Sequence, residues 1–144
     1  MWKKRSQNRY TIVIGCGEQG EQVARKLADA GELVLVVDAS KEALEKLASA
    51  YQGDQISGDA TKRKVLDRIG LDHASAVVLT TGSENTNIMI AQLAKEEYHV
   101  PVVIARSRDP QRRVLYDLSG ICTIDGGEFT TDRVMDHLIS NKAG

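Results

Sequence analysis

Residues 11–20 read TIVIGCGEQG, and no other segment constrains the fold as tightly. The apolar, largely β-branched run at 11–14 leads directly into Gly15-Cys16-Gly17-Glu18-Gln19-Gly20, where a helical pattern begins at once. A second apolar run, 33–37, ends in Asp38, eighteen residues after Gly20. Strand, G-x-G-x-x-G, helix, strand and acid in that order describe a βαβ unit shaped for a nucleotide. Gly15 permits the tight turn, and Gly17 lets backbone N–H groups approach a phosphate. Gly20 lets the helix pack close to the strand. The helix N-terminus adds about half a positive charge facing that phosphate. Asp38, followed by Ala39, is placed to accept hydrogen bonds from ribose hydroxyls and to repel a 2′-phosphate, since Ala39-Ser40 supply no adjacent arginine to receive one. Cys16, within the turn, reads as a small space-filling residue or a reactive thiol.

Short apolar runs alternate with helical periods along the rest of the chain. The pattern predicts strands at 10–14, 33–37, 54–57, 76–80, 102–106 and 121–124. It predicts helices at 18–30, 41–51, 62–69, 84–98, 110–118 and 128–141. The uninterrupted runs VLVV, AVVL and VVIA suit parallel strands buried on both faces. Ser40, Thr61 and Ser83 are expected to cap helices, as is Asp109 ahead of Pro110, and Gly31, Gly70 and Gly120 to end them. The fold class that follows is α/β, a Rossmann-like doubly wound parallel sheet of six strands in the order 3-2-1-4-5-6 with helices on both faces. A length of 144 residues suits one domain. Residues 1–9 read as a basic polar tail and 10–144 as a single nucleotide-binding domain with a C-terminal helix. Ile88, Met89, Ile90, Ala91, Leu93 and Ala94 cover more of the helix at 84–98 than one sheet contact needs. That surplus means either a broadly buried helix in a tight domain or, together with Val134, Met135, Leu138 and Ile139 on the last helix, a subunit interface.

In such a sheet the ligand crevice lies at the carboxyl ends of the strands, near the switch between the first and fourth. Beyond the glycine turn and Asp38, the segments predicted there are Gly58-Asp59-Ala60-Thr61, Thr80-Thr81-Gly82 and Arg106. Asp59 and Ala60 fall where an adenine ring lies, or form a βα turn with Thr61 as helix cap. Thr80, Thr81 and Gly82 offer hydroxyls and open backbone to phosphates or a second ribose. Arg106 reaches toward phosphate or pairs with Asp109 or Asp125. His73, His99 and His137 fall outside the predicted crevice and lack metal-ligand spacing. Net charge is −1, and the basic clusters at 3–5 and 62–64 lack interleaved aromatics, which argues against nucleic acid as a partner. No apolar run approaches the length of a membrane span. Cys16 and Cys122 lack CxxC spacing and read as free thiols in a reducing, cytoplasmic setting.

The succession GCGEQG at 15–20, VVD at 36–38, GDAT at 58–61, AVVLTT at 76–81, ENTN at 84–87 and ARSRDP at 105–110 resembles the KTN/RCK family. This is the TrkA-N nucleotide-binding domain of Trk- and Ktr-type potassium-transport regulators, and the resemblance covers residues 9–140. It implies a non-enzymatic regulatory domain that forms dimers or larger rings at the cytoplasmic face of a membrane-embedded potassium channel or transporter. It implies NAD(H), AMP, ADP or ATP as ligand. By position, Gly15, Gly17 and Gly20 form the phosphate turn, Asp38 meets the ribose, and Asp59 and Ala60 lie at the adenine. ATP-responsive relatives often carry Arg where this chain has Glu18, which points to NAD(H), AMP or ADP in preference to ATP. Many relatives also carry a second ligand-binding domain for which this sequence has no length. The rival readings are an NAD-dependent oxidoreductase, an S-adenosylmethionine methyltransferase and a nucleotide sensor for another cation transporter. An oxidoreductase needs a proton-transfer residue beside the nicotinamide, and no His, Tyr or Lys is predicted at the crevice.

Overall fold

A computed structural model describes residues 10–125 and 130–143. Six parallel strands form one sheet: β1 (Tyr10–Ile14), β2 (Leu33–Asp38), β3 (Asp54–Ser57), β4 (Ala76–Leu79), β5 (Val102–Ser107) and β6 (Cys122–Asp125). Their order is β3-β2-β1-β4-β5-β6, as predicted. Six helices connect or follow them: α1 (Glu18–Asp29), α2 (Lys41–Ala48), α3 (Arg63–Arg68), α4 (Glu84–Glu96), α5 (Pro110–Leu118) and α6 (Thr131–Ala143). The switch point falls at β1, which pairs with β2 on one side and β4 on the other.

The apolar runs are buried on both faces because helices cover each side. On one face Ile12, Ile14, Leu35 and Val37 pack with Val65 and Leu66 of α3, Ile90 and Ala91 of α4, and Tyr116 of α5. On the other, Val13, Val34 and Val36 meet Val23, Ala24 and Leu27 of α1, Leu44 and Leu47 of α2, and Val134 and Leu138 of α6. At about 25 cal/mol per Å² of apolar surface removed from water, these two layers dominate the folding free energy.

Local signals set most boundaries. The Ser40 side chain accepts from the Ala43 N–H, Ser83 from Thr86, and Asp109 from Gln111 with Pro110 at the first helical position. Gly31, Gly70 and Gly120 adopt φ of 83°, 72° and 78° at helix ends. Thr61 does not cap α3, which begins two residues later without a side-chain cap. Its hydroxyl and N–H both donate to Asp59 Oδ1, at 2.6 and 2.9 Å, so an Asx-type turn takes the group a cap would use. The helix expected at 41–51 stops at Ala48, and Ala50 turns the chain with φ 63°. A 3₁₀ turn at Leu71–His73 was not expected. Of the predicted helix at 128–141, residues 128 and 129 lie outside the described residues, as does the tail at 1–9.

Helix α4 absorbs most of the apolar surface that suggested a second contact. Ile88, Ile90, Ala91 and Ala94 are buried and Leu93 packs against the same core, leaving Met89 40% exposed. Exposed apolar surface sits instead mainly on α5, where Val114, Leu115 and Leu118 are 62%, 63% and 81% exposed; on α6 Val134 and Leu138 are buried and Ile139 is 58% exposed.

Candidate functional site

A crevice of about 480 Å³ opens at the carboxyl ends of β1 to β5. The glycine turn forms its centre. Gly15, at φ 104°, sits so close to the loop after β4 that a Cβ there would lie 2.7 Å from the Thr80 carbonyl carbon and the Thr81 nitrogen. Its N–H donates to the Val37 carbonyl at 2.9 Å. A Cβ on Gly20 would lie 2.0 Å from the Gly15 carbonyl oxygen and 2.6 Å from Thr80 Oγ1. Gly20 therefore does what the motif predicts and brings α1 against the turn. Gly17 differs: a Cβ there meets nothing within 4 Å, and its φ of −79° is open to any residue. Its freedom is therefore steric, toward the crevice.

Asp38 braces this turn. Oδ2 accepts from the Cys16 N–H at 2.6 Å and Oδ1 from the Ser40 N–H at 2.7 Å. Each carboxylate oxygen has lone-pair capacity beyond one such bond, so the arrangement fixes the carboxylate and still allows it to accept from a ligand hydroxyl. The Cys16 side chain points inward, with Sγ 3.6 Å from the Ala43 carbonyl oxygen. Burial, then the charges of Asp38 and Glu21, push the thiol up to about 11 against the opposing pull of Arg25. The Cys16 side chain fills space within the turn, 5% exposed.

At the β3 end, Gly58, Asp59, Ala60 and Thr61 line the crevice. The Thr61 hydroxyl and N–H bonds hold the Asp59 carboxyl below its ordinary range, assisted by Lys62. At the β4 end, buried Thr80 donates its hydroxyl to the Gly15 carbonyl at 2.9 Å, tying β4 to the turn. Thr81, Gly82 and Thr86 complete that wall. Arg106 lines the crevice from β5 and donates to Gln19 Oε1 at 2.5 Å; the pairing with Asp109 is not formed, since Asp109 caps α5 and faces Arg112.

Of the predicted site residues, Gly15, Cys16, Gly17, Asp38, Ala39, Asp59, Ala60, Thr80, Thr81, Gly82 and Arg106 all line this one crevice. Glu18 and Gln19 do not. They line an adjacent shallow cleft with Gln22, Thr130, Thr131 and Asp132. Gly20 lies beneath the turn. Ser40, Ala43, Thr86 and Ile90 also line the crevice and were not anticipated. The capping signal at Ser40 could have indicated its place, because a cap directly after β2 must lie at the strand's carboxyl end. Among the described residues that line it there is no His, Tyr or Lys. Among the described residues there is no cluster of His, Cys, Asp and Glu fit to hold a metal ion, and no helix long and apolar enough to cross a membrane.

The TrkA-N domain pattern matches residues 11–124, from β1 into β6. The chain belongs to the TrkA-N domain family. It is 29% identical over 134 residues to the Trk system potassium uptake protein TrkA of Streptomyces coelicolor, covering 93% of this chain and 60% of that protein. The chain spans roughly half the length of the curated relatives it matches, 60% and 48% in two of them. Among solved structures, the NAD(P)-binding domain of an exopolyphosphatase-related protein from Archaeoglobus fulgidus superposes with a TM-score of 0.69. It is 26% identical, with 93% of this TrkA-N chain and 99% of that one covered. The Kef CTD of Shewanella denitrificans in its AMP-bound form shares the fold at a TM-score of 0.63 and 23% identity, over 81% of this chain and 71% of its own.

Proposed function

We propose that this TrkA-N domain is a non-enzymatic nucleotide sensor that regulates potassium transport by a membrane-embedded channel or transporter. The observation that carries the reading is the crevice itself. An open Gly17, a braced Asp38 and the Asp59-Ala60 turn converge on one cavity at the sheet's switch point. Membership of the TrkA-N family and likeness to a potassium uptake protein connect that cavity to potassium. In this reading phosphate sits at Gly15, Cys16 and Gly17 beside the start of α1, with Arg106 as the nearby cation. The ribose meets Asp38 and Ala39, and the adenine lies over Asp59 and Ala60. The absence of His, Tyr and Lys among the described lining residues supports sensing over catalysis, because hydride transfer to a carbonyl needs a proton donor beside the nicotinamide.

NAD(H), AMP and ADP are the ligands that fit best. Glu18 is exposed on the first turn of α1. A carboxylate that opens α1 next to the proposed phosphate turn repels the added charge of a longer phosphate chain, which disfavours ATP. The domain acts from the cytoplasmic face as a homodimer or larger ring.

Mass spectrometry of the ligand retained on purification, with calorimetric titration of AMP, NADH and NADPH, tests the reading. AMP and NADH bind, NADPH binds more weakly because Asp38 repels its 2′-phosphate, and bound NADH stays reduced with carbonyl substrates. Failure of every nucleotide to bind, or stoichiometric oxidation of NADH by a substrate, overturns it.

A further inference from the structure

The crevice has two halves about the glycine turn. β2 and β3 supply one through Asp38, Ala39, Asp59 and Ala60; β4 and β5 supply the other through Thr80, Thr81, Gly82 and Arg106. A mononucleotide with its phosphate at the turn occupies the first half, and only a dinucleotide places a second nucleoside in the other. The loops of that second half are both held by the first turn of α4. Asn87, 1% exposed, forms a two-way bond with Thr81. Its Oδ1 accepts from the Thr81 N–H at 2.9 Å and hydroxyl at 2.6 Å, and its Nδ2 donates to the Thr81 carbonyl at 3.1 Å. One turn earlier, Glu84 Oε1 accepts from the Ser107 hydroxyl at 2.5 Å and the Arg108 N–H at 3.0 Å, fixing the chain just after Arg106. Neither Glu84 nor Asn87 lines the crevice.

We infer that Glu84 and Asn87 are positioning residues that set the discrimination between dinucleotide and mononucleotide by holding the two loops around the second nucleoside. The inference rests on the proposed nucleotide reading of the crevice. It follows from where the bonds go: both anchors serve the β4 and β5 side, and none of these bonds reaches Asp38, Asp59 or Ala60. Preformed walls bind without an ordering cost, so a released loop weakens the dinucleotide, which rests a second nucleoside on that wall, more than a mononucleotide that meets it only through Arg106 at the phosphate. Because the Thr81 N–H donates to Asn87 and its one hydroxyl proton is taken by Asn87 or the Ser83 carbonyl, Thr81 contributes shape on that wall while its donors stay occupied.

The test is the ratio of NADH to AMP affinity, measured by calorimetry on the full chain. Glu84→Ala removes a half-exposed anchor and lowers that ratio by about tenfold, the equivalent of one good polar contact. Glu84→Gln keeps an acceptor oxygen for Ser107 and Arg108 and restores the ratio. Asn87→Ala lowers it in the same sense if the protein folds; where it does not, Glu84→Ala decides alone. A residue with a merely structural role weakens both ligands in proportion and leaves the ratio at the parent value, which overturns the inference. A parent that binds AMP but not NADH overturns it while leaving the nucleotide-sensor reading intact. A parent that binds neither removes both together.

Discussion

An alanine methyl at Gly17 projects into open space, whereas one at Gly20 falls 2.0 Å from the Gly15 carbonyl oxygen. The pair separates binding from folding on a single turn of chain. At Gly17 the backbone φ of −79° suits alanine, so a methyl there meets only a ligand. Gly17→Ala is expected to weaken AMP and NADH binding about tenfold or more, and to lower the nucleotide-free melting temperature only slightly, because alanine is a poorer N-cap for α1 than glycine. Gly20→Ala forces backbone apart in a packed region, at a cost of about 1–3 kcal/mol, and lowers the nucleotide-free melting temperature by several degrees. Both melts must be run without nucleotide, because lost ligand alone lowers apparent stability. Parental affinity in Gly17→Ala would mean that no phosphate approaches that residue.

Two helices carry the element-scale predictions. α5 keeps its buried Tyr116 on the sheet and turns Val114, Leu115 and Leu118 outward. Contiguous exposed apolar side chains of this size are uncommon on monomers. Light scattering at micromolar protein is expected to give at least twice the 15.8 kDa chain mass. Leu115→Glu combined with Leu118→Glu is expected to shift the protein toward monomer without loss of folding, since neither side chain is in the core; a double variant that still dimerises would place the interface elsewhere. For α4, the relevant charge is Glu84. The Ser107 hydroxyl, followed by the Arg108 and Asp109 N–H groups and the Arg112 charge, holds its carboxyl below the ordinary range against the opposing effect of burial. A carboxyl depressed on folding stabilises the fold above its unfolded pKa, and that contribution disappears as pH falls through the lower folded value. The stability gap between parent and Glu84→Gln in urea melts is therefore largest near neutrality and closes as pH falls below about 4. A gap independent of pH would show that the ionised form has no advantage there.

For the molecule as a whole, the layers and strand order were legible because each β-branched run is buried on both faces and each helix carries a capping residue or an apolar stripe. The glycine turn was legible because only glycine fits at Gly15 and Gly20. What escaped depends on choices between partners. Thr61 has the chemistry of a cap, but Asp59, two residues earlier, competes for it and wins. The Asn87 amide reaches back to Thr81 in a geometry that spacing alone does not distinguish from a solvent-facing asparagine. The apolar positions of α4 and α5 have comparable periodicity, and only packing decides that α4 covers its own sheet while α5 leaves three side chains outside. Arg106 had an acidic neighbour three residues on, Asp109, and took a neutral partner from α1, because β5 ends beside the start of that helix.

The position of β1 in the sheet has a consequence for biogenesis. Its two neighbours are made after it at very different times: β2 follows within two dozen residues, but β4 begins only at Ala76. A chain emerging from the ribosome can assemble β1, β2 and β3 first, and it then carries Ile12 and Ile14 on an unpaired strand edge until β4 arrives. Open apolar edges of this kind invite strand addition by other chains, and pairing across such a sequence gap is slow. The strand that leads into the glycine turn is thus exposed to misassembly during synthesis, so slowed translation between β3 and β4 should raise the aggregated fraction of newly made protein.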